Sequence, residues 1–247
     1  MNPATSGAAE PLPLAIVGMG RMGQAVDALA ASRGCVVRAR VGRGQPLTRE
    51  TLAGAAVAIE FTTGNAVSAN VRACLSAGCA VVVGTTGWYD ALPVLRGEVE
   101  RSGGALLWAP NFSVGALAMT AAAVAAARVL REGGAFEPHL VETHHAAKTD
   151  APSGTARAVA AAVGDVMGRV IPVTSIRVGQ VPGEHEMIFD GAFEQLRVQH
   201  IVRDRKVFAD GALVAARWLA GRQGVFTMDD VLRDDVRRDV PVSGRGT

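Results

Sequence analysis

The chain has 247 residues, a formal net charge of +2 at pH 7, 49% hydrophobic residues and 29 glycines. That length and apolar content allow one large domain or two small ones with real cores and exclude a disordered chain; the near-neutral charge gives no field that implies nucleic acid or an anionic membrane as a partner. Cys35, Cys74 and Cys79, odd in number and set in apolar or small-residue stretches, argue for reduced, buried thiols in a cytoplasmic protein and against a disulfide framework or a zinc site.

Residues 1–13, MNPATSGAAEPLP, have neither a basic n-region nor a long apolar core, so they read as a flexible lead-in and not as a secretory signal. Leu14–Val17 predicts a first strand that enters GMGRMG at Gly18–Gly23, and QAVDALAAS follows as a helix. Cys35–Val41 supplies a second strand; Val57–Phe61, Ala80–Val83 and Ala105–Trp108 supply three more, separated by helical stretches at Ala66–Ser76 and around Ala91–Arg101. Strands alternating with helices imply a parallel sheet with right-handed crossovers.

After Asn111 the texture changes. Val114–Leu130 predicts a long helix of small residues, and the uncharged run Phe112–Ala127 is shorter than the ~20 residues that span a bilayer, so a packed helix is expected. Leu140–Thr143 predicts a strand that delivers a histidine pair at its end. Ser153 then caps an alanine-rich helix, Gly154 to Val163, and Pro152 discourages an earlier start. Three β-rich runs follow between Val173 and Val202, and the alternation in FEQLRVQHIV suits a sheet solvated on one face. Phe208–Leu219 and MDDVL are helical again. The expected fold is α/β: a Rossmann-like dinucleotide-binding domain with a parallel sheet (14–112 and 205–247) plus an inserted α+β domain (113–204). The crossings near Asn111–Ser113 and Arg203–Arg205 would act as hinges.

Gly18, Gly20 and Gly23 have the G-x-G-x-x-G spacing, between a strand and an amphipathic helix. Such glycines permit a tight turn and close approach of backbone to a pyrophosphate at the helix N-terminus. The end of the second strand, VVRARVGRGQ, has Arg38, Arg40 and Arg43 and no acid until Glu50. An arginine there suits a 2′-phosphate, which favours NADPH over NADH; the alternative is a solvated basic edge. GTTGW (Gly84–Trp88) and APNF (Ala109–Phe112) also follow strands at their carboxyl ends, where ligands bind in open α/β sheets.

The stretch Glu142–Ala156, ETHHAAKTDAPSGTA, holds His144, His145 and Lys148. The chain has five histidines and, among its 25 basic residues, two lysines, Lys148 and Lys206. An ammonium changes pKa readily on burial, whereas arginine stays protonated, so Lys148 marks a place for a transferable proton. Histidine is the side chain most easily tuned to give or take a proton near neutral pH. Adjacent histidines after a strand diverge, so one can act as acid while the other binds substrate. Ser153, Gly154 and Thr155 open a helix and make a receptor for a carboxylate, which implies a small acidic substrate. No metal is expected, because no cysteine or carboxylate completes a ligand set and lysine is a poor ligand. Arg177 and His185 flank a glycine-rich turn and are second-rank candidates; His139 and Lys206 read as surface residues.

These residues carry a resemblance to the 4-hydroxy-tetrahydrodipicolinate (dihydrodipicolinate) reductase family of lysine and diaminopimelate biosynthesis, from about Leu14 to Leu232. Its most specific element is E-x-HH-x-x-K-x-D-A-P-S-G-T-A at Glu142–Ala156. Supporting elements are GRMG at Gly20–Gly23, FTT at Phe61–Thr63, VGTTG at Val83–Gly87, APNFSVG at Ala109–Gly115, R-x-G-x-x-x-GEH at Arg177–His185 and FADGAL…A-x-WLAG at Phe208–Gly221. The resemblance implies a cyclic imine dicarboxylate substrate that takes a hydride from a nicotinamide at ring position 4 and a proton at the adjacent carbon. It implies His144 as proton donor/acceptor, Lys148 as proton donor, and His145 with Ser153, Gly154 and Thr155 as carboxylate holders. It implies a cofactor lined by Gly18, Met19, Gly20, Arg21, Met22, Gly23, Gly84, Thr85, Thr86, Ala109, Pro110, Asn111 and Phe112. It further implies a homotetramer built through sheets of the inserted domain, and domain closure on binding. The sequence departs from the family in two places: the glycine turn is one residue shorter than the usual G-x-x-G-R-M-G, and the acid usual after the second strand is missing. The alternatives are a related reductase of another cyclic imine or enamine acid, and a nucleotide-sensing protein without turnover.

Overall fold

The structure is a computed structural model that describes residues 10–133 and 136–239. The lead-in expected over 1–13 falls mostly outside the described residues. The chain divides into two compact units: residues through Phe112 together with those from Phe208 onward, and Ser113–Val207 between them.

The first unit is a six-stranded parallel sheet. Its strands are β1 (Leu12–Val17), β2 (Cys35–Val41), β3 (Val57–Glu60), β4 (Ala80–Val83), β5 (Ala105–Trp108) and β10 (Gly224–Phe226), in the order β10-β5-β4-β3-β1-β2. All pairings are parallel. Every residue of β3 is buried, the continuous pattern of a strand covered on both faces. The helices α1 (Arg21–Ala30), α2 (Gly64–Ser76), α3 (Leu92–Ser102), α6 (Lys206–Leu219) and α7 (Met228–Asp239) belong to this unit's part of the chain; α6 begins two residues before the unit boundary. Val67, Val71 and Cys74 of α2 and Leu95 and Val99 of α3 close one face of the sheet over Ala15, Val17, Ala58, Val81 and Val83. On α6, Arg33 pairs with Asp210 and Arg217 donates to the Arg33 carbonyl at 2.8 Å, which ties this late helix to the end of the first βα turn. All three cysteines are buried free thiols.

Strand β1 starts two residues earlier than expected, because Leu12 pairs with Cys35 and its amide reaches the Gly34 carbonyl. Strand β10 is absent from the sequence reading. Three residues, GVF, carry no periodicity; the edge of β5 makes them a strand.

The second unit is a mixed four-stranded sheet, β7-β6-β8-β9, formed by β6 (Glu137–His144), β7 (Val173–Arg177), β8 (Glu184–Asp190) and β9 (Gln195–Ile201). Strand β6 runs parallel to β7 and antiparallel to β8. Helices α4 (Val114–Gly133) and α5 (Gly154–Met167) pack together on one face. Met119, Ala123 and Ala127 of α4 and Ala156, Val159 and Val163 of α5 meet Leu140, Met187 and Phe189 of the sheet. At 20 residues α4 is long and apolar enough to cross a membrane by length and composition, contrary to the expectation from its uncharged run; its Met119–Ala123–Ala127 stripe nonetheless lies in the core of this unit. Helix α5 runs one turn beyond the expected Val163 and ends at Gly168 in the left-handed conformation.

Two glycines in helix interiors should respond oppositely to alanine. A Cβ on Gly211 of α6 would run into the Phe112 carbonyl oxygen, whereas Gly97 of α3 faces open space. Gly211→Ala should therefore destabilise by about 1–3 kcal/mol through overpacking, and Gly97→Ala should stabilise by about 0.5–1 kcal/mol through helix propensity. Denaturant midpoints of the two variants check both signs.

Candidate active site

In the first unit the site is built at the carboxyl ends of the strands. The chain leaves β1, builds β2 on one side, then returns to place β3 on the other. That reversal is the switch point at which open α/β sheets bind ligands. Gly18, with φ +96°, turns there, and its amide donates to the Val41 carbonyl at 2.9 Å. A Cβ on Gly18 would strike the Phe61 carbonyl oxygen, and one on Gly23 would strike the Gly18 carbonyl oxygen. Gly20, the N-cap of α1, has nothing within 4 Å of its would-be Cβ and no side-chain cap. The first and third glycines are thus needed for the turn and for helix–strand packing. The second leaves the backbone open at a helix N-terminus, the arrangement that fits a dinucleotide pyrophosphate. The residues present fit a nicotinamide dinucleotide. Met19 and Met22 are half-buried and Arg21 is exposed.

The three arginines differ in their surroundings, and Arg38 is exposed on β2. Arg40 is held by Asp27 of α1 through two hydrogen bonds of 2.7 and 2.9 Å. Arg43 is exposed two residues beyond Val41, the residue whose carbonyl receives the Gly18 amide. The loops after β3, β4 and β5 are stitched together. The Thr62 amide donates to Thr85 Oγ1 at 2.7 Å, Trp88 Nε1 donates to the Thr85 carbonyl at 2.8 Å, and the Phe61 and Phe112 rings meet edge to face at 6.2 Å. Gly84 lies so close to the Phe61 ring that a Cβ would collide with it. Thr85 and Phe112 are therefore buried parts of the loop framework, as is Ala109; Thr86 and Pro110 are exposed, and Asn111 is half-buried. Beneath them the fully buried Glu60 takes hydrogen bonds from the Thr62 hydroxyl and from Asn70 at 3.0 Å. Burial pushes its carboxyl pKa up against those bonds. An acid inside the apolar run VAIEF was the signal for it.

In the second unit the sheet register assembles the site. Glu142 lies between Ser175 of β7 and His185 of β8, and His144 lies beside Arg177. Alternation puts Leu140, Glu142 and His144 on the face covered by the helices. Glu142 is fully buried. Its Oε1 accepts from the Ser153 amide at 3.0 Å, from Ser175 Oγ at 2.7 Å and from Arg177 Nη2 at 2.7 Å. Its Oε2 lies 3.1 Å from His144 Nδ1. Burial alone would raise the Glu142 pKa; the bonds from Ser153, Ser175 and Arg177 outweigh it and hold the carboxyl at about 2.

His144 is only 8% exposed. Desolvation pushes its pKa down, the Glu142 charge pushes it up, and Lys148 and Arg177 push it down. His185 packs edge to face on His144 with centroids 5.2 Å apart, and its Nε2 is 3.2 Å from Ser153 Oγ. Burial, with His144 beside it, pushes its pKa down to about 4. Lys148 returns toward the strand end because its amide bonds the His145 carbonyl; its Nζ is 2.7 Å from Asp150 Oδ1. His145 is half-buried. Ser153 caps α5 by accepting from the Ala156 amide at 3.1 Å, Gly154 is exposed and Thr155 is half-buried at the helix start. His139 is on the opposite face, 3.0 Å from Thr174 Oγ1, and Lys206 is exposed beside Asp204.

Sequence reasoning underrated three members of this cluster. Glu142 was part of the motif with no role of its own, and Arg177 and His185 were second-rank. The contacts that join them pair Glu142 with Ser175 and His185, and His144 with Arg177, across from β6 to the later strands β7 and β8, which spacing cannot show. The ground given against a metal also needs correction, because Glu142, His144 and His185 offer ligand atoms within 4.8 Å of one another. The carboxylate is already neutralised by Arg177, with Lys148 acting on His144 as a second cation; that favours proton handling over cation capture.

A doubly wound sheet with an open glycine turn, together with a buried acid–base cluster, defines the class of nicotinamide-nucleotide oxidoreductases. The comparisons give the particular one. Residues 12–112 match the family described as dihydrodipicolinate reductase, N-terminus, and residues 115–232 match dihydrodipicolinate reductase, C-terminus. Among curated relatives, the 4-hydroxy-tetrahydrodipicolinate reductase of Alkalilimnicola ehrlichii is 37% identical over 73% of this chain and 74% of its own. That of Laribacter hongkongensis is 34% identical over 90% and 98%. The solved dipicolinate-bound dihydrodipicolinate reductase of Paenisporosarcina sp. TG-14 has the same fold, with a TM-score of 0.77 and 22% identity over 89% of this chain and 99% of that one. The chain belongs to the dihydrodipicolinate reductase family.

The Glu142 cluster gives a pH signature. A carboxyl whose folded pKa lies below its ordinary 4.5 stabilises the fold fully above that value, and the contribution is lost as pH falls toward 2. Arg177→Met removes a partner that holds the pKa down, so acid unfolding followed by circular dichroism should begin at higher pH in this variant than in the parent.

Proposed function

We propose that the chain reduces 4-hydroxy-tetrahydrodipicolinate to tetrahydrodipicolinate, in lysine and diaminopimelate biosynthesis. The observation that carries this reading is the single segment Glu142–Ala156. It brings a buried imidazole, an ammonium and a helix start together at the end of β6, in a chain that matches both halves of the family. A bound nicotinamide supplies the hydride to ring position 4 of the substrate. His144, at the strand end, holds and exchanges the proton that the adjacent carbon needs. Lys148 neutralises substrate negative charge and donates a proton. His145, Ser153, Gly154 and Thr155 hold the carboxylates, since a helix start offers amides to an anion.

The cofactor is held along Gly18–Gly23 and by the loops Gly84–Thr86 and Ala109–Phe112. We favour NADPH, because Arg43 is exposed beside the glycine turn while Arg40 is engaged by Asp27. The active form is a cytoplasmic homotetramer. The free thiols support the compartment, and the exposed Ile176 and Ile201 on the sheet face away from α4 and α5 support association through that sheet.

Lys148→Arg and His144→Gln should each keep nicotinamide-nucleotide affinity and lose turnover by on the order of 10²-fold, the usual share of a positioned acid. A coupled assay with freshly generated substrate, following loss of nicotinamide absorbance, reads it. Unchanged rates in both variants would remove this mechanism, no turnover by the parent would favour the nucleotide-sensing reading, and turnover of a different cyclic imine would favour the related reductase.

In a separate titration, Arg43→Ala should weaken NADPH binding and leave NADH binding within about twofold. A parent protein that prefers NADH strongly would overturn the cofactor preference.

A further inference from the structure

We propose that Glu142 is the positioning residue of His144: its Oε2 holds the Nδ1 proton, which fixes the tautomer and leaves Nε2 as the nitrogen that exchanges a proton with substrate. This rests on the role proposed above for His144 and extends it to a residue to which neither the family motif nor the resemblance gave a role.

Glu142 and His144 lie on the same face of β6, two residues apart, and both are buried. Three donors from two elements converge on the other carboxylate oxygen, Oε1: the Ser153 amide at the start of α5, and Ser175 Oγ and Arg177 Nη2 of β7. With Oε1 fully occupied, the carboxylate cannot rotate without breaking all three bonds. Oε2 lies 3.1 Å from His144 Nδ1 and 3.9 Å from His185 Nε2, and neither Oε2 nor Nδ1 has a hydrogen-bond partner that would compete for their contact. An ionised carboxylate can only accept, so Nδ1 must donate, and a neutral imidazole with its proton on Nδ1 presents a bare lone pair at Nε2. That nitrogen lies beside Gly183, where a Cβ would stand 3.1 Å away and crowd it. The same order, anchored carboxylate, then imidazole, then reacting atom, orients general bases elsewhere.

The charged and titratable groups acting on His144 are Glu142 on its own strand, Lys148 and Asp150 on the following turn, Arg177 on β7 and His185 on β8. His185 is kept neutral by burial, so it does not replace the carboxylate. Of the remaining four, Glu142 and Asp150 favour the imidazolium and Lys148 and Arg177 oppose it. Replacing Glu142 by glutamine removes the larger favourable charge and leaves both cations in place, so the His144 pKa must fall. If the imidazolium is the proton donor, turnover disappears above that pKa, and the alkaline limb of the kcat profile must move to lower pH.

Two measurements on the full chain test the proposal. The first uses the parent protein labelled with ¹⁵N-histidine, with the His144 signals assigned by their loss in His144→Gln. The neutral ring should show the Nδ1–H tautomer, and an Nε2–H tautomer overturns the proposal whether or not any variant folds. The second compares kcat against pH for the parent, Glu142→Gln and Glu142→Asp. Glu142→Gln should lose 10- to 100-fold in kcat, shift its alkaline limb to lower pH and keep its nicotinamide-nucleotide affinity, with partial recovery in Glu142→Asp. A Glu142→Gln profile superimposable on the parent's overturns it. Failure of the underlying reading looks different: His144→Gln would turn over at the parent rate while the Nδ1–H tautomer is still observed.

Discussion

The second unit is organised around one buried charge. The Glu142 carboxylate has no water to solvate it, and an unpaired buried ion would be prohibitively costly. It persists because a backbone amide, a hydroxyl and a guanidinium meet on a single oxygen. The donors come from the start of α5 and from β7, so satisfying the charge also fixes where α5 begins, how β7 lies against β6 and where Arg177 ends. The interaction is worth more as specification than as stability, since a well-packed apolar substitute could be just as stable.

The consequence for chemistry is that His144 and His185, neighbours in one buried cluster, are not equivalent. His185 lies farther from the same carboxylate, with Nε2 3.9 Å from Oε2, and burial together with His144 outweighs it and keeps the ring neutral. His144 has burial against it and the carboxylate for it. Burial lowers the pKa of both imidazoles and Glu142 opposes it in both; the carboxylate is nearer to His144. Lys148 is held differently, by the exposed Asp150, at the wet edge of the same cluster. The first unit shows the complementary economy. Its glycine turn and three stitched loops leave backbone exposed where a dinucleotide can approach, and its polar side chains are spent largely on each other: Thr85 on Thr62 and Trp88, Glu60 on Thr62 and Asn70.

Much of this was legible in the chain. Sequence pattern located β2, β4 and β5 to the residue: β4 and β5 are unbroken apolar runs, and β2 is an edge strand that mixes buried apolar residues with exposed arginines. The glycine turn was legible because steric need for glycine leaves a local mark at Gly18 and Gly23. That Lys148 lies near enough to act on the charge of His144 was legible because both sit on one short segment. Elements that depend on a neighbour were not. Gly224–Phe226 is a strand only because β5 offers it an edge, and the first strand reaches back to Leu12 only because Cys35 is there to pair with it.

What the sequence determined by itself, then, is the inventory and the local order: which residues can carry protons, which turns need glycine, and which family the chain resembles. Tertiary structure alone decided which of those residues meet. Glu142, Ser175, Arg177 and His185 are far apart in sequence and adjacent across a sheet, and the register between strands is set by burial of whole faces and not by any local signal. For the same reason the partner that orients His144 could be named only after β6, β7 and β8 were laid side by side.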